Sequence, residues 1–151
     1  MIVGVVGQVP DSYRVHLRGL NSSIVVPADI WGGPTANYPF QATAVALEAL
    51  SDNVNDTFSG GTGARVLIVE GIGPDWIAYS QPEAILLAGT SAVSLQRTYL
   101  RINSMAIVSP TGSGQVNAGN IILRIAGVGT VLGLIPAGYG IWQTAVFSVP
   151  I

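Results

Sequence analysis

Residues 125–151 carry no charged side chain, and Arg124 is the only one between residues 102 and 151. A run of that length is long enough to cross a bilayer, which takes about 20 predominantly apolar residues. Its punctuation points elsewhere. Gly127, Gly129, Gly133, Pro136, Gly138, Gly140 and Pro150 cut it into short apolar pieces, and Thr130, Gln143 and Thr144 interrupt those pieces further. Turn formers at that spacing predict buried strands rather than a membrane helix. The start of the chain, Met1-Ile-Val-Gly-Val-Val-Gly, has neither the basic segment nor the small-residue cleavage site of a secretory signal, so no targeting segment is expected.

The same pattern recurs along the chain. Runs rich in Val, Ile, Leu and Thr alternate with Gly, Pro, Asn and Ser clusters, placing strands at 2–6, 13–18, 23–27, 42–50, 64–70, 76–80, 83–87, 93–109, 120–125, 131–135 and 142–149. In 13–18, Arg14, His16 and Arg18 alternate with Tyr13, Val15 and Leu17, as in a sheet with one wet face. Segment 42–50, Ala-Thr-Ala-Val-Ala-Leu-Glu-Ala-Leu, is the one place where helix competes, and the absence of an amphipathic stripe favours strand. Glycine-rich loops separate the runs. The expected fold is all-β, an antiparallel, jelly-roll-like β-sandwich with little or no helix. The organisation reads as an N-terminal arm over 1–30 and a sandwich domain over 31–151, or one domain throughout.

Composition removes most chemistry. Charged residues make up 9% of the chain, against about 25% in an ordinary soluble domain. There is no lysine and no cysteine, so Schiff bases, phosphate-loop lysines, thiolates, disulfides and cysteine metal sites are excluded. A net charge of −2 with six arginines does not fit a phosphate-backbone binder. His16, the only histidine, lies between two arginines on a polar face, which describes a solvated residue better than a catalytic base. Segment 125–133 falls one residue out of step with a dinucleotide fingerprint and opens no helix.

Weaker features remain. The loop Ser51-Asp-Asn-Val-Asn-Asp gathers oxygen ligands of the sort calcium accepts, with Asp52, Asn55 and Asp56 as candidates and Asn53 beside them; Asx turns call for the same residues. Glu70, Asp75 and Glu83 could supply a carboxylate pair for sugar hydrolysis. Trp31, Tyr38, Phe40, Trp76, Tyr79 and Tyr99 could include stacking platforms for carbohydrate, although burial is the commoner fate of such rings.

One stretch carries a likeness. Asp56-Thr-Phe-Ser-Gly-Gly-Thr-Gly-Ala-Arg65, followed by an apolar strand and Glu70-Gly-Ile, resembles a family of tailed-bacteriophage virion structural proteins. Further segments match in the same order: Glu83-Ala-Ile-Leu-Leu-Ala-Gly89, Tyr99-Leu-Arg101, Asn117-Ala-Gly-Asn-Ile121, Pro136-Ala-Gly138, Gln143-Thr and Val149-Pro150. Residues 31–150 are covered; 1–30 have no counterpart. The resemblance implies a β-rich virion component and supplies no catalytic residues to carry over; no cofactor is expected.

The functional expectation is therefore a non-enzymatic structural protein of a virion, a capsid decoration or cement protein on the capsid surface. It would act as a homo-oligomer, a trimer by preference, bound to the major capsid protein or another virion protein, with no nucleic acid and no membrane. Interface candidates are Trp31, Tyr38, Arg65, Tyr99, Arg101, Trp142 and Phe147, and residues 102–151 are expected to supply more than their share of subunit contacts. The alternative is a host-recognition fibre or carbohydrate-binding β-sandwich module.

Overall fold

The computed structural model describes residues 38–108 and 116–143. The strands expected at 2–6, 13–18 and 23–27, together with Trp31 and Phe147, lie outside them. Among the described residues there is no helix, and none long and apolar enough to cross a membrane. Eight strands form: β1 (Val45–Ser51), β2 (Val66–Ile72), β3 (Glu83–Leu86), β4 (Val93–Tyr99), β5 (Arg101–Val108), β6 (Ile121–Ile125), β7 (Val131–Ile135) and β8 (Ile141–Gln143). They make two antiparallel four-stranded sheets, ordered β4-β1-β6-β7 and β3-β2-β5-β8. This is the expected all-β sandwich. Consecutive strands share a sheet only as β2–β3 and β6–β7; every other consecutive pair is divided between the sheets.

Period-two alternation builds the core. In β2, Leu67, Val69 and Gly71 turn inward while Val66, Ile68 and Glu70 face out. Leu67, Val69 and Met105 of one sheet meet Leu47, Leu123, Leu132 and Ile135 of the other, all fully buried. Two glycines let the sheets close. A side chain at Gly133 would meet the Met105 thioether, and one at Gly71 would meet the Tyr99 ring.

Segment 42–50 resolves as strand: β1 takes β4 on one side and β6 on the other. Two expectations need correction. The run 93–109 is not one strand but two, β4 and β5, in different sheets. Tyr99 and Leu100 are buried in succession, which breaks the alternation a single strand requires, and the Leu100 amide leaves the ladder to bond the Ile72 carbonyl at 2.8 Å. Segment 76–80 is not a strand beyond the single bridge Ile72↔Ala78. Gly73-Pro74-Asp75 turns the chain back there, with proline at the position a tight turn favours.

The two outer faces differ. On β4-β1-β6-β7, the Glu48–Arg124 ion pair crosses from β1 to β6 at 2.7 Å. On β3-β2-β5-β8, cross-strand registers align Leu86, Val66 and Val108 in one row and Ala84, Ile68, Ala106 and Ile141 in the next. Polar side chains enter only in the third row, as Glu70, Ser104 and Gln143.

Candidate functional site

The loop after β1 is shaped by its own polar side chains. The Asn53 amide bonds Ser51 Oγ at 3.0 Å, and the Asn55 amide bonds Asn53 Oδ1 at 2.9 Å. These are the local turns that Ser and Asn favour, and they carry Asp56 into the interior, where it is fully buried. Its Oδ1 accepts from the amides of Ala64 (2.7 Å) and Ala118 (2.8 Å); its Oδ2 accepts from Ser51 Oγ (2.6 Å) and the Gly119 amide (2.8 Å). One carboxylate thus joins three stretches of chain separated by as many as 63 residues.

Neighbouring motif residues serve the same junction. At Gly63 any Cβ would collide with Asp56 Oδ1 and Ala118, and at Gly61 with the carbonyls of Asn55 and Thr57. Arg65 folds back to donate from Nε (3.1 Å) and Nη2 (2.8 Å) to the Gly61 carbonyl. Asn117, also buried, donates from Nδ2 to the carbonyls of Gly119, Ile135 and Pro136, and its Oδ1 accepts from the Gly140 amide. Asp52 holds Asn120 through both carboxylate oxygens, each at 2.7 Å.

The calcium reading of Asp52, Asn55 and Asp56 is corrected by this geometry. Asp56 is surrounded by N–H and O–H donors, which occupy the lone pairs a cation would need and present positive ends where it would sit. Asp52 is turned to Asn120, and Asn55 is exposed. Among the described residues no three His, Cys, Asp or Glu side chains gather for a metal.

Glu83 is the second buried acid. It accepts from the amides of Gln96 and Arg97 and, at 2.8 Å, from the Tyr99 hydroxyl. Burial first, and then that hydrogen bond, push the Tyr99 phenol far above its ordinary range. Tyr99, an interface candidate by sequence, is fully buried beneath β2 in the isolated chain, so its ring is a core element. A glycosidase pair from Glu70 and Glu83 is also ruled out by register. Val69 lies opposite Glu83, so Glu83 shares the inward face of Val69, and Glu70 projects from the other side of the sheet. Parity could have shown this in the sequence, since Glu83, Ile85 and Leu87 alternate with Ala84 and Leu86.

The remaining candidates divide. Tyr38 is buried and packs edge-to-face on Phe40 at 5.3 Å; burial raises its phenol pKa. Trp142 is half-buried against the core. Arg101 is half-buried, its guanidinium 5.0 Å from the Phe40 ring centre and 5.1 Å from that of Trp76. Phe40 and Trp76 are 59% and 54% exposed, so this stack is the place where described aromatic side chains stand open to solvent beside a cation.

Comparison with protein-family models, curated proteins and solved structures gives no match.

Proposed function

We propose that this chain is a structural virion component of a tailed-bacteriophage type, a capsid decoration or cement protein that assembles as a homo-oligomer over capsomer junctions. The observation that supports the reading is the outer face of β3-β2-β5-β8. Its first two rows hold only Val, Ile, Leu and Ala, and Leu86, Val108 and Ile141 are exposed there. A contiguous apolar face on a charge-poor domain marks a contact surface, and permanent assemblies are the more apolar class of interface. The face draws β5 and β8 from residues 102–151, and β2 and β3 from before them.

Light scattering on the purified full chain tests this, together with labelling of intact particles to locate it. The expected result is a stable oligomer at micromolar concentration that Ala106→Arg converts to monomer without changing the circular dichroism spectrum, because Ala106 is a small outward residue at the middle of the face. A wild-type monomer at that concentration refutes the proposal.

A further inference from the structure

The hairpin after β2 holds a tryptophan where its backbone asks for glycine. The Trp76 amide closes the turn on the Gly73 carbonyl at 3.2 Å, the Gly73 amide bonds the Ile77 carbonyl at 2.9 Å, and Trp76 sits in the left-handed region at φ 65°. A tight turn followed by one left-handed residue is a common hairpin connection, and glycine ordinarily fills the last position. Trp76 is the only non-glycine described residue with positive φ. Such backbone strain concentrates where function requires a side chain to be held. Its ring is not used to fill the core, since half of the residue stays exposed.

The surroundings define what the ring can meet. Arg101 backs both Trp76 and Phe40, fixing the two rings before any ligand arrives. In the same turn as Trp76, Asp75 Oδ1 accepts from the Ile77 amide at 3.1 Å, which leaves Oδ2 of an exposed carboxylate as an open acceptor. We propose that the Phe40–Arg101–Trp76 platform, with Asp75 at its rim, is a saccharide-binding site. A pyranose presents an apolar C–H face, suited to an open aromatic ring, and hydroxyl groups along its edge, suited to a carboxylate oxygen. Protein hot spots, by contrast, sit at the centre of a broad water-excluding surround. Here Pro74, Asp75, Ala78 and Ser80 at the hairpin are all exposed. The site lies at the end of the same sheet, at the Ile72↔Arg101 pair beyond the Glu70 and Ser104 row, and its proposal does not rest on the assembly role.

The test is a defined glycan array of neutral and acidic oligosaccharides probed with the full chain, each hit titrated by calorimetry. At least one hit is expected, weakened roughly ten-fold by Trp76→Gly and by Asp75→Asn but only a few-fold by Trp76→Phe, which keeps an aromatic face. Trp76→Gly is expected to melt no lower than wild type, so loss of binding cannot be attributed to unfolding. The proposal is overturned if no glycan binds the wild-type chain, if Trp76→Gly binds as tightly, or if that variant changes only the oligomeric state, which would make the platform a protein contact.

Discussion

Replacing Asp56 with asparagine exchanges one acceptor oxygen for an amide nitrogen and leaves the shape unchanged. Two donors converge on each original oxygen, all in buried bonds except that of the Ala118 amide, which is part-buried. The asparagine oxygen fits best at the Oδ1 position, where it keeps the Ala64 and Ala118 amides. Its nitrogen then faces Ser51 and Gly119. The Ser51 hydroxyl can rotate to accept; the Gly119 N–H, 2.8 Å from the old oxygen, has no such freedom. One buried donor is left unsatisfied and opposed by another donor, at a cost of about 2–3 kcal/mol. Alanine strands all four donors, on the order of 4 kcal/mol or more against a total stability of about 5–15 kcal/mol. Chemical denaturation followed by circular dichroism measures this as a lower midpoint at unchanged slope. Asp52→Asn, at an exposed position, is the control and is expected to cost under about 1 kcal/mol. If Asp56→Asn falls within about 0.5 kcal/mol of wild type, the junction does not hold the sandwich together in the way described.

Three further outcomes follow from the same packing. Gly63→Ala drives a methyl group into the Asp56 carboxylate and Ala118, and is expected to cost about 3 kcal/mol or more; Gly133→Ala presses on the flexible end of Met105, with Trp142 at ordinary contact distance, and should stay within about 1 kcal/mol, both read by denaturation. Alkaline titration should destabilise the chain from about pH 10 upward. Tyr99 stays protonated when folded at pH values where the unfolded phenol ionises, so its stabilising effect is complete below that pH and is lost above it. Tyr99→Phe should flatten that decline, while costing about 1.5–3 kcal/mol at neutral pH through the bond lost to Glu83.

The sandwich was legible because alternation and turn chemistry agree: Leu67 and Val69 against Val66 and Ile68, with Gly-Pro-Asp at the 73–75 reversal. What the sequence hid were places where one residue changes sheet or role. Nothing local in Tyr99-Leu100-Arg101 announces that the strand ends; the Ile72 carbonyl that captures the Leu100 amide is distant in sequence. Asp56 looked like a cation ligand because a turn-rich acidic loop is common to both uses, and only its partners at 64, 118 and 119 distinguish them. The segments expected from the sequence to resemble virion proteins, Asp56 with Gly61 to Arg65, Glu83, Tyr99, and Asn117 with Gly119, include these polar anchors. A likeness resting on them follows the requirements of a scaffold more closely than those of a binding surface. Trp76 was visible as an aromatic, but its backbone conformation was not.

The position of β1 sets a timetable for synthesis. β1 lies inside its sheet, bordered by β4 and β6, and its pairing with β6 runs from Ser51↔Ile121 to Leu47↔Ile125. A ribosome that has just added Ser51 must extend the chain by 74 residues before that border is complete, roughly 4–15 s at usual elongation rates. Until then one side of an apolar strand stays unpaired. Among the described residues neither sheet is finished before β7, so the sandwich closes only after that strand is made, and premature termination between β1 and β6 would release a product with an open, adhesive edge.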